Sequence, residues 1–331
     1  MDLVEIGEAT DYSDLLDKLV TFAESTTWWT TLQNDSEMTC LQGEGAGSDE
    51  IIVAFQKYAN VGEDAYGWYL NGFTGYTNGL TFLNQPGALQ LGTTSETAPG
   101  YRAIPLWNST IPYWFVVNSR RIIVVAKVST TYHFAYLGFL IPYATPNQYP
   151  YPLAIGGSAC PVSATPRPRF SSTADSTHAF WRGQFGASNV PCTLAVRLPG
   201  GVWRSQDNLQ AALGLAYTAY PANVRHQGLY PYSHDVGGND TSSYIDNVRD
   251  TIDGQPVLTP IEWSYYQSTL DRGSIGEIDG VFHVTGSGRS TEDVITVDGE
   301  DYLVVQNVFR TDIDQYAAIH IGPTESSSSS S

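Results

Sequence analysis

With 331 residues, 42% of them hydrophobic, the chain can bury a full-sized core, yet its charged fraction of 15% falls well below the roughly 25% of typical soluble domains. Sixteen Lys and Arg stand against 34 Asp and Glu, a net charge of -18, which excludes the clustered basic footprint that nucleic acid or anionic lipid requires. The 21 Tyr, 12 Phe and 8 Trp suit strands and broad contact surfaces better than long surface helices.

The first predicted element is a helix over residues 11–24, "DYSDLLDKLVTFAE". It carries Tyr12, Leu15, Leu19 and Phe22 at helical spacing, with Thr10 or Asp11 as N-cap and acids in its first turn. Trp28 and Trp29 follow, placed to seal that helix against a sheet, and "GEGAGSDE" reads as a turn or short linker. The first 45 residues are thus expected to form a helical segment ahead of the main body.

From Ile51 the pattern changes to short apolar runs separated by turn residues, the rhythm of an antiparallel sandwich or barrel. In residues 111–158 "VNSRR" supplies a turn between "IPYWFVV" and "IIVVAKVS", and "STT" supplies the next one before "YHFAYLGF". A transmembrane helix needs about 20 uninterrupted apolar residues. Asn118, Arg120, Arg121 and Lys127 break this stretch, as do Pro142 and Pro146, so strands are expected and a membrane span is not. Ile122, Val124 and Ala126 then share one face and Ile123, Val125 and Lys127 the other, which predicts a strand covered on both sides.

The segment "ATPNQYPYPLAIGGSACPVSATPRPRF" is rich in Pro, Tyr, Gly and Ser and reads as a long surface loop. A boundary is expected near "GLYPYSHDVGGNDTSS". Beyond it, "VITVDGEDYLVVQNVF" reads as a hairpin turning on Asp298 and Gly299, and the terminal "SSSSSS" as an unstructured tail. The expected organisation is a helical segment (1–45), a sandwich-like body (46–235), a smaller C-terminal β unit (236–323) and the tail (324–331).

Candidate chemistry is sparse. Glu277 with Asp279 offers two carboxylates for glycoside hydrolysis, but "GEIDG" is explained as well by a strand with a tight turn. His234, Asp235, Asn239 and Asp240 in "HDVGGND" bring oxygen ligands together without EF-hand spacing. Cys40, Cys160 and Cys192 are too dispersed for zinc or a disulfide framework and read as free thiols. No nucleophile elbow and no phosphate-binding loop is present, so no cofactor, metal or enzymatic activity is expected. The N-terminus "MDLVEIGEAT" lacks a basic, apolar leader pattern, which predicts synthesis in the cytoplasm. Trp68, Tyr69 and Phe73, with Tyr149, Tyr151 and Trp107, are aromatics suited to stacking on sugars or to a protein contact, although strand aromatics are usually core.

The blocks "WYLNGFTGY", "PLWNSTIPYWFVVNSRRIIVVAKVSTTYHFAYLGFLIPYATPNQYPYPLAIGGS", "GEIDGVFHVTG" and "DYLVVQNVFRTDIDQYAAIHI" resemble a family of tailed-bacteriophage virion proteins, over residues 10 to 321. The resemblance implies a multimeric structural component of the neck, collar, tail or baseplate, with copies of itself and other virion proteins as partners. It brings no catalytic motif. The interface or loop-anchoring residues expected on this basis are Trp107, Trp114, Tyr149, Pro150, Tyr151 and Pro152. The alternative is a receptor-binding or carbohydrate-binding virion protein that meets a host-surface glycan through its aromatic loops.

Overall fold

A computed structural model describes residues 2–46, 49–89, 101–143, 152–160, 194–198, 201, 203–204, 209–211, 251–252, 255–267, 270–286, 288–306 and 316–323. The chain begins with β1 (Leu3–Ala9), α1 (Tyr12–Ser25), β2 (Trp29–Asn34), β3 (Thr39–Ala46), β4 (Asp49–Asn60), β5 (Ala65–Phe73) and β6 (Tyr101–Leu106). It continues with β7 (Ile111–Asn118), β8 (Arg121–Val128), β9 (Thr131–Phe139), β10 (Ile141–Pro142), β11 (Leu153–Gly156), β12 (Ser158–Cys160), β13 (Leu194–Arg197), β14 (Trp203–Arg204) and β15 (Leu209–Ala211). The last part adds β16 (Thr251–Ile252), β17 (Gln255–Pro256), β18 (Thr259–Gln267), β19 (Leu270–Val284), β20 (Val294–Val297), β21 (Glu300–Gln306) and β22 (Tyr316–Pro323). Among the described residues the protein is mainly β and antiparallel, as its composition predicts, with one N-terminal α-helix where the spacing of Leu15, Leu19 and Phe22 places it.

Three sheets stack in layers. The central sheet runs β1-β7-β8-β9-β11-β13-β14, the N-terminal sheet β12-β6-β5-β4-β3-β2, and the C-terminal sheet β15-β18-β19-β22-β21-β20. Alternation along the central strands decides which layer each side chain meets. Phe115, Val117, Ile122, Val124 and Leu137 point into one core with α1 and the N-terminal sheet. Val116, Ile123, Val125, Phe134 and Tyr136 point into a second core with Ile278, Val281, Val305 and Ile319 of the C-terminal sheet. The expectation that the Arg121–Val128 strand is covered on both sides is met, because this strand lies mid-sheet in the middle layer.

The local turns follow the sequence chemistry. Asn118 and Arg121 close the β7–β8 hairpin around Ser119 and Arg120, and the Asn118 Oδ1 accepts from the backbone N–H groups of Arg120 and Arg121, both at 2.9 Å. Val128 and Thr131 close the β8–β9 hairpin, with Ser129 at positive φ. Asp298 (φ 54) and Gly299 (φ 83) close β20–β21, the two consecutive positive φ values of a type I′ turn. Helix α1 is capped by Asp11, whose side chain accepts from Ser13 N and Asp14 N. Its apolar face buries Leu15, Leu16, Leu19, Phe22 and Ala23.

Sheet membership crosses the expected divisions at residues 45 and 235. The first 45 residues supply β1 to the central sheet and β2 and β3 to the N-terminal sheet, besides the helix. "GEGAGSDE" is the end of one strand and the start of the next, with Ala46 paired to Asp49. The C-terminal sheet also takes β15, and β10 pairs with β19 directly after β9 leaves the central sheet. Gly157 lets the chain pass from β11 in the central sheet to β12 in the N-terminal sheet in one residue; a Cβ there would sit 2.6 Å from the Ala103 carbonyl oxygen.

Candidate functional site: a buried ionic cluster

The charged side chains that the fold brings together come from five separated segments. Arg121 opens β8, and its apolar successors commit the strand to the middle layer, so its guanidinium is carried inside and is fully buried. Asp2 precedes β1 and accepts from Arg121 Nη2 at 2.7 Å and from Asn118 Nδ2 at 2.8 Å. Asp279 of β19 meets Arg120 Nη2 at 2.5 Å and lies 3.4 Å from Arg121 Nε. His320 of β22 bridges Asp2 (Nδ1, 2.5 Å) and Glu300 of β21 (Nε2, 2.9 Å).

Two glycines make the room. Gly280 has φ +71, and a Cβ on it would sit 2.0 Å from Arg121 Nη2; a Cβ on Gly138 would sit 2.3 Å from the Arg121 Cβ. Tyr136, also buried, donates its hydroxyl to the Phe139 carbonyl at 2.8 Å beside this site.

The electrostatics favour ionised partners. Burial opposes ionisation of Asp2, but Arg121, His320 and Asn118 outweigh it and hold the carboxyl down at about 2. Burial likewise disfavours a charged Arg121, and the carboxylates of Asp2 and Asp279 more than reverse that effect. The Asp2 hydrogen bond raises the His320 pKa against a smaller opposing effect of burial, with Glu300 adding to the rise. With His320 protonated, three cations face three carboxylates. Buried charges persist when they are paired in this way, and removing one partner strands another.

The members of the cluster are paired with one another. Asp279, one half of the carboxylate pair considered for glycoside hydrolysis, is committed to two guanidinium groups. Glu277 has a different partner, the Tyr143 hydroxyl at 3.4 Å. Asp298 lies in the hairpin turn, and Asp301 accepts from Thr296 Oγ1 at 2.6 Å. His234, Asp235, Asn239 and Asp240 lie outside the described residues. Among the described residues no group of three or more His, Cys, Asp and Glu is placed to hold a metal ion. Cys40 is a buried free thiol, and burial pushes its pKa up to about 12.

The expected interface residues separate. Trp114 is 9% exposed and packs in the core between the central and C-terminal sheets, beside the Tyr132 ring, so its contacts are made within the chain. Trp107 is half-buried against the first core and donates its indole N–H to the Thr110 carbonyl at 3.0 Å, while its own carbonyl accepts from Tyr12 N; it anchors the loop from β6 to β7. Pro152 is buried, and its carbonyl accepts from Leu140 N. Tyr149, Pro150 and Tyr151 lie outside the described residues. Of the aromatics considered for stacking, Trp68, Tyr69 and Phe73 are all core.

Sequence reasoning did not find Asp2, Arg120, Arg121, Glu300 and His320 as one group. One signal was present: a doubled arginine heading the run "IIVVA" requires a buried counter-charge. Nothing in the spacing said which of 34 acids would supply it.

The fold and this cluster define an antiparallel, three-layered β protein with an internal ionic tie. No known family model matches the chain, and no curated protein matches its sequence. Among the described residues no helix is long and apolar enough to cross a membrane.

Proposed function

We propose that this chain is a non-enzymatic structural component of a tailed-phage virion, placed in the neck, collar, tail or baseplate region and acting through contacts with copies of itself and with other virion proteins. The observation that carries the reading is the closed ionic cluster. Asp2, Arg120, Arg121, Asp279, Glu300 and His320 are spent on each other, joining the N-terminus, the central sheet and the C-terminal sheet. A particle component has to keep its layers in fixed relation under load, and a tie of this kind serves that end.

The resemblance of residues 10 to 321 to virion proteins supports the same reading, as does the net charge of -18, which suits a protein that packages no nucleic acid by direct contact. The chain would be assembled in the host cytoplasm and reside in the virion. Immunogold labelling of purified particles with antibodies to this chain tests the proposal. Gold confined to one station along the neck-to-tail axis is expected; unlabelled particles from a lysate that contains the protein would sink it.

A further inference from the structure

Among the described residues six strands end the three layered sheets, and five of them are poor templates for another chain. β14 has two residues, β12 and β15 three each, β20 four, and the six-residue β2 is broken by a register shift between Thr31 and Gln33. Short or bulged edges are the usual protection against edge-to-edge pairing. β1 is different. Its seven residues, Leu3–Ala9, pair with β7 without any register shift, and it ends the central sheet. Ile6, at its middle, is 63% exposed.

Among the described residues no strand pairs with the outer side of β1, and the direction of its hydrogen-bonding groups follows from the neighbouring hairpin. Asn118 and Arg121 flank a two-residue turn, so their backbone groups face each other and those of Val117 face β1. Val117 is paired with Leu3. Leu3, Glu5, Gly7 and Ala9 therefore direct their N–H and C=O groups at β7, and Val4, Ile6 and Glu8 direct theirs away from the sheet.

We infer that this edge is a self-association surface, on which β1 of a second copy pairs antiparallel about a two-fold axis through Ile6. In that register Ile6 meets Ile6, Val4 meets Glu8, Glu5 meets Gly7 and Leu3 meets Ala9. The exposed apolar side chains come together, and no two acids lie directly opposite. Sliding by two residues one way sets Glu5 against Glu5, a like-charge pair that destabilises a ladder; sliding the other way sets Ile6 against Glu8. The symmetric register also places outward donors opposite outward acceptors, so two seven-stranded sheets become one continuous sheet. This inference gives the subunit contacts proposed above a surface, and rests on that reading only for its setting in a particle.

The test is sedimentation of the purified full chain across the micromolar range, for the wild type and for Ile6→Pro. Proline removes an outward N–H and no bond to β7, so the fold is retained while the new ladder loses its central donor. A reversible wild-type dimer is expected, with a dissociation constant raised at least tenfold in Ile6→Pro and a thermal midpoint close to the wild type. Ile6→Lys, which sets two positive charges together on the axis, provides a second variant with the same expected loss. Amide exchange gives an independent readout: Val4, Ile6 and Glu8 lose protection on dilution while Leu3, Glu5 and Gly7 keep theirs. A wild type that stays monomeric, or an Ile6→Pro protein that dimerises as tightly, overturns the inference. A larger assembly insensitive to both variants would overturn it and leave the assembly reading standing. Loss of the dimer in Ile6→Pro with unlabelled virions would leave the edge pairing standing and sink the virion setting.

Discussion

The two faces of the central sheet are joined to their neighbours by different means. Toward α1 and the N-terminal sheet the contact is apolar and rich in large aromatics: Trp29, Phe55, Trp68 and Phe115, with the Tyr113 and Phe115 rings stacked at 4.1 Å. Toward the C-terminal sheet the apolar side chains are mostly smaller, Val, Ile, Leu and Ala, and the margin carries the Asp2, Arg121, Asp279 and His320 cluster. The first face is held by area and close packing. The second adds a tie that depends on which groups carry protons.

The sharpest way to break this contrast is to damage each face once. Arg121→Met should cost about 3–5 kcal/mol in urea unfolding, because Asp2 and Asp279 lose the fully buried cation they share. Phe115→Ala should cost a similar ~3–5 kcal/mol through the cavity it leaves. The two losses differ in rescue. Adding Asp2→Asn and Asp279→Asn to Arg121→Met should restore much of the stability, whereas no change of charge repairs Phe115→Ala.

Alkaline pH separates the faces at the next level of effect. His320 has a raised folded pKa, so its contribution is complete below its ordinary value of 6.5 and is lost as pH rises through the folded pKa. Asp2 has a lowered one, so its contribution is complete above 3.8 and is lost as pH falls toward about 2. Burial also holds the neutral His133 imidazole down at about 3, so its effect grows as pH falls below 6.5. Thermal melts of the wild type should decline toward alkaline pH through His320 and toward acid pH through His133 and then Asp2. His320→Gln should abolish the alkaline decline and leave the acid one in place.

Smaller effects mark parts of the molecule outside the contrast. Asp11→Ala removes the N-cap of α1 and should cost about 1 kcal/mol, seen as a modest drop in the urea midpoint. Lys127→Ala breaks a partly exposed ion pair with Glu292, 2.6 Å across, and should change stability by less than about 1 kcal/mol. A loss comparable to Arg121→Met would show that surface charges share the tie.

The parts of this fold that were legible beforehand are the ones with local causes. Helix α1 announces itself by Asp11 and the spacing of Leu15, Leu19 and Phe22; the hairpin at Asp298 and Gly299 by its turn residues; the middle-layer strand by apolar residues on both of its faces. Pairings between distant segments left no such mark. Leu3–Ala9 joins Ile111–Asn118 through hydrogen bonds that any extended sequence can make, so the N-terminal residues read as a prelude to the body instead of a strand within it. Trp114 was expected among the interface or loop-anchoring residues, but alternation along β7 sends it into the chain's own core. The ionic cluster was illegible for the same reason as β1: its members meet only after the layers have stacked.

The hydrogen bond between Asp2 and His320 spans 318 positions of the chain. Residues near the start and near the end must both be present before it can form, whatever the order in which the sheets condense. On the ribosome, Asp2 and Arg121 emerge long before β22 does, and a nascent chain holds Asp2 without its histidine until β22 has been translated. Closure of that bond therefore marks a chain in which β22 is in place, and a product truncated before β22 would carry a loosened first strand.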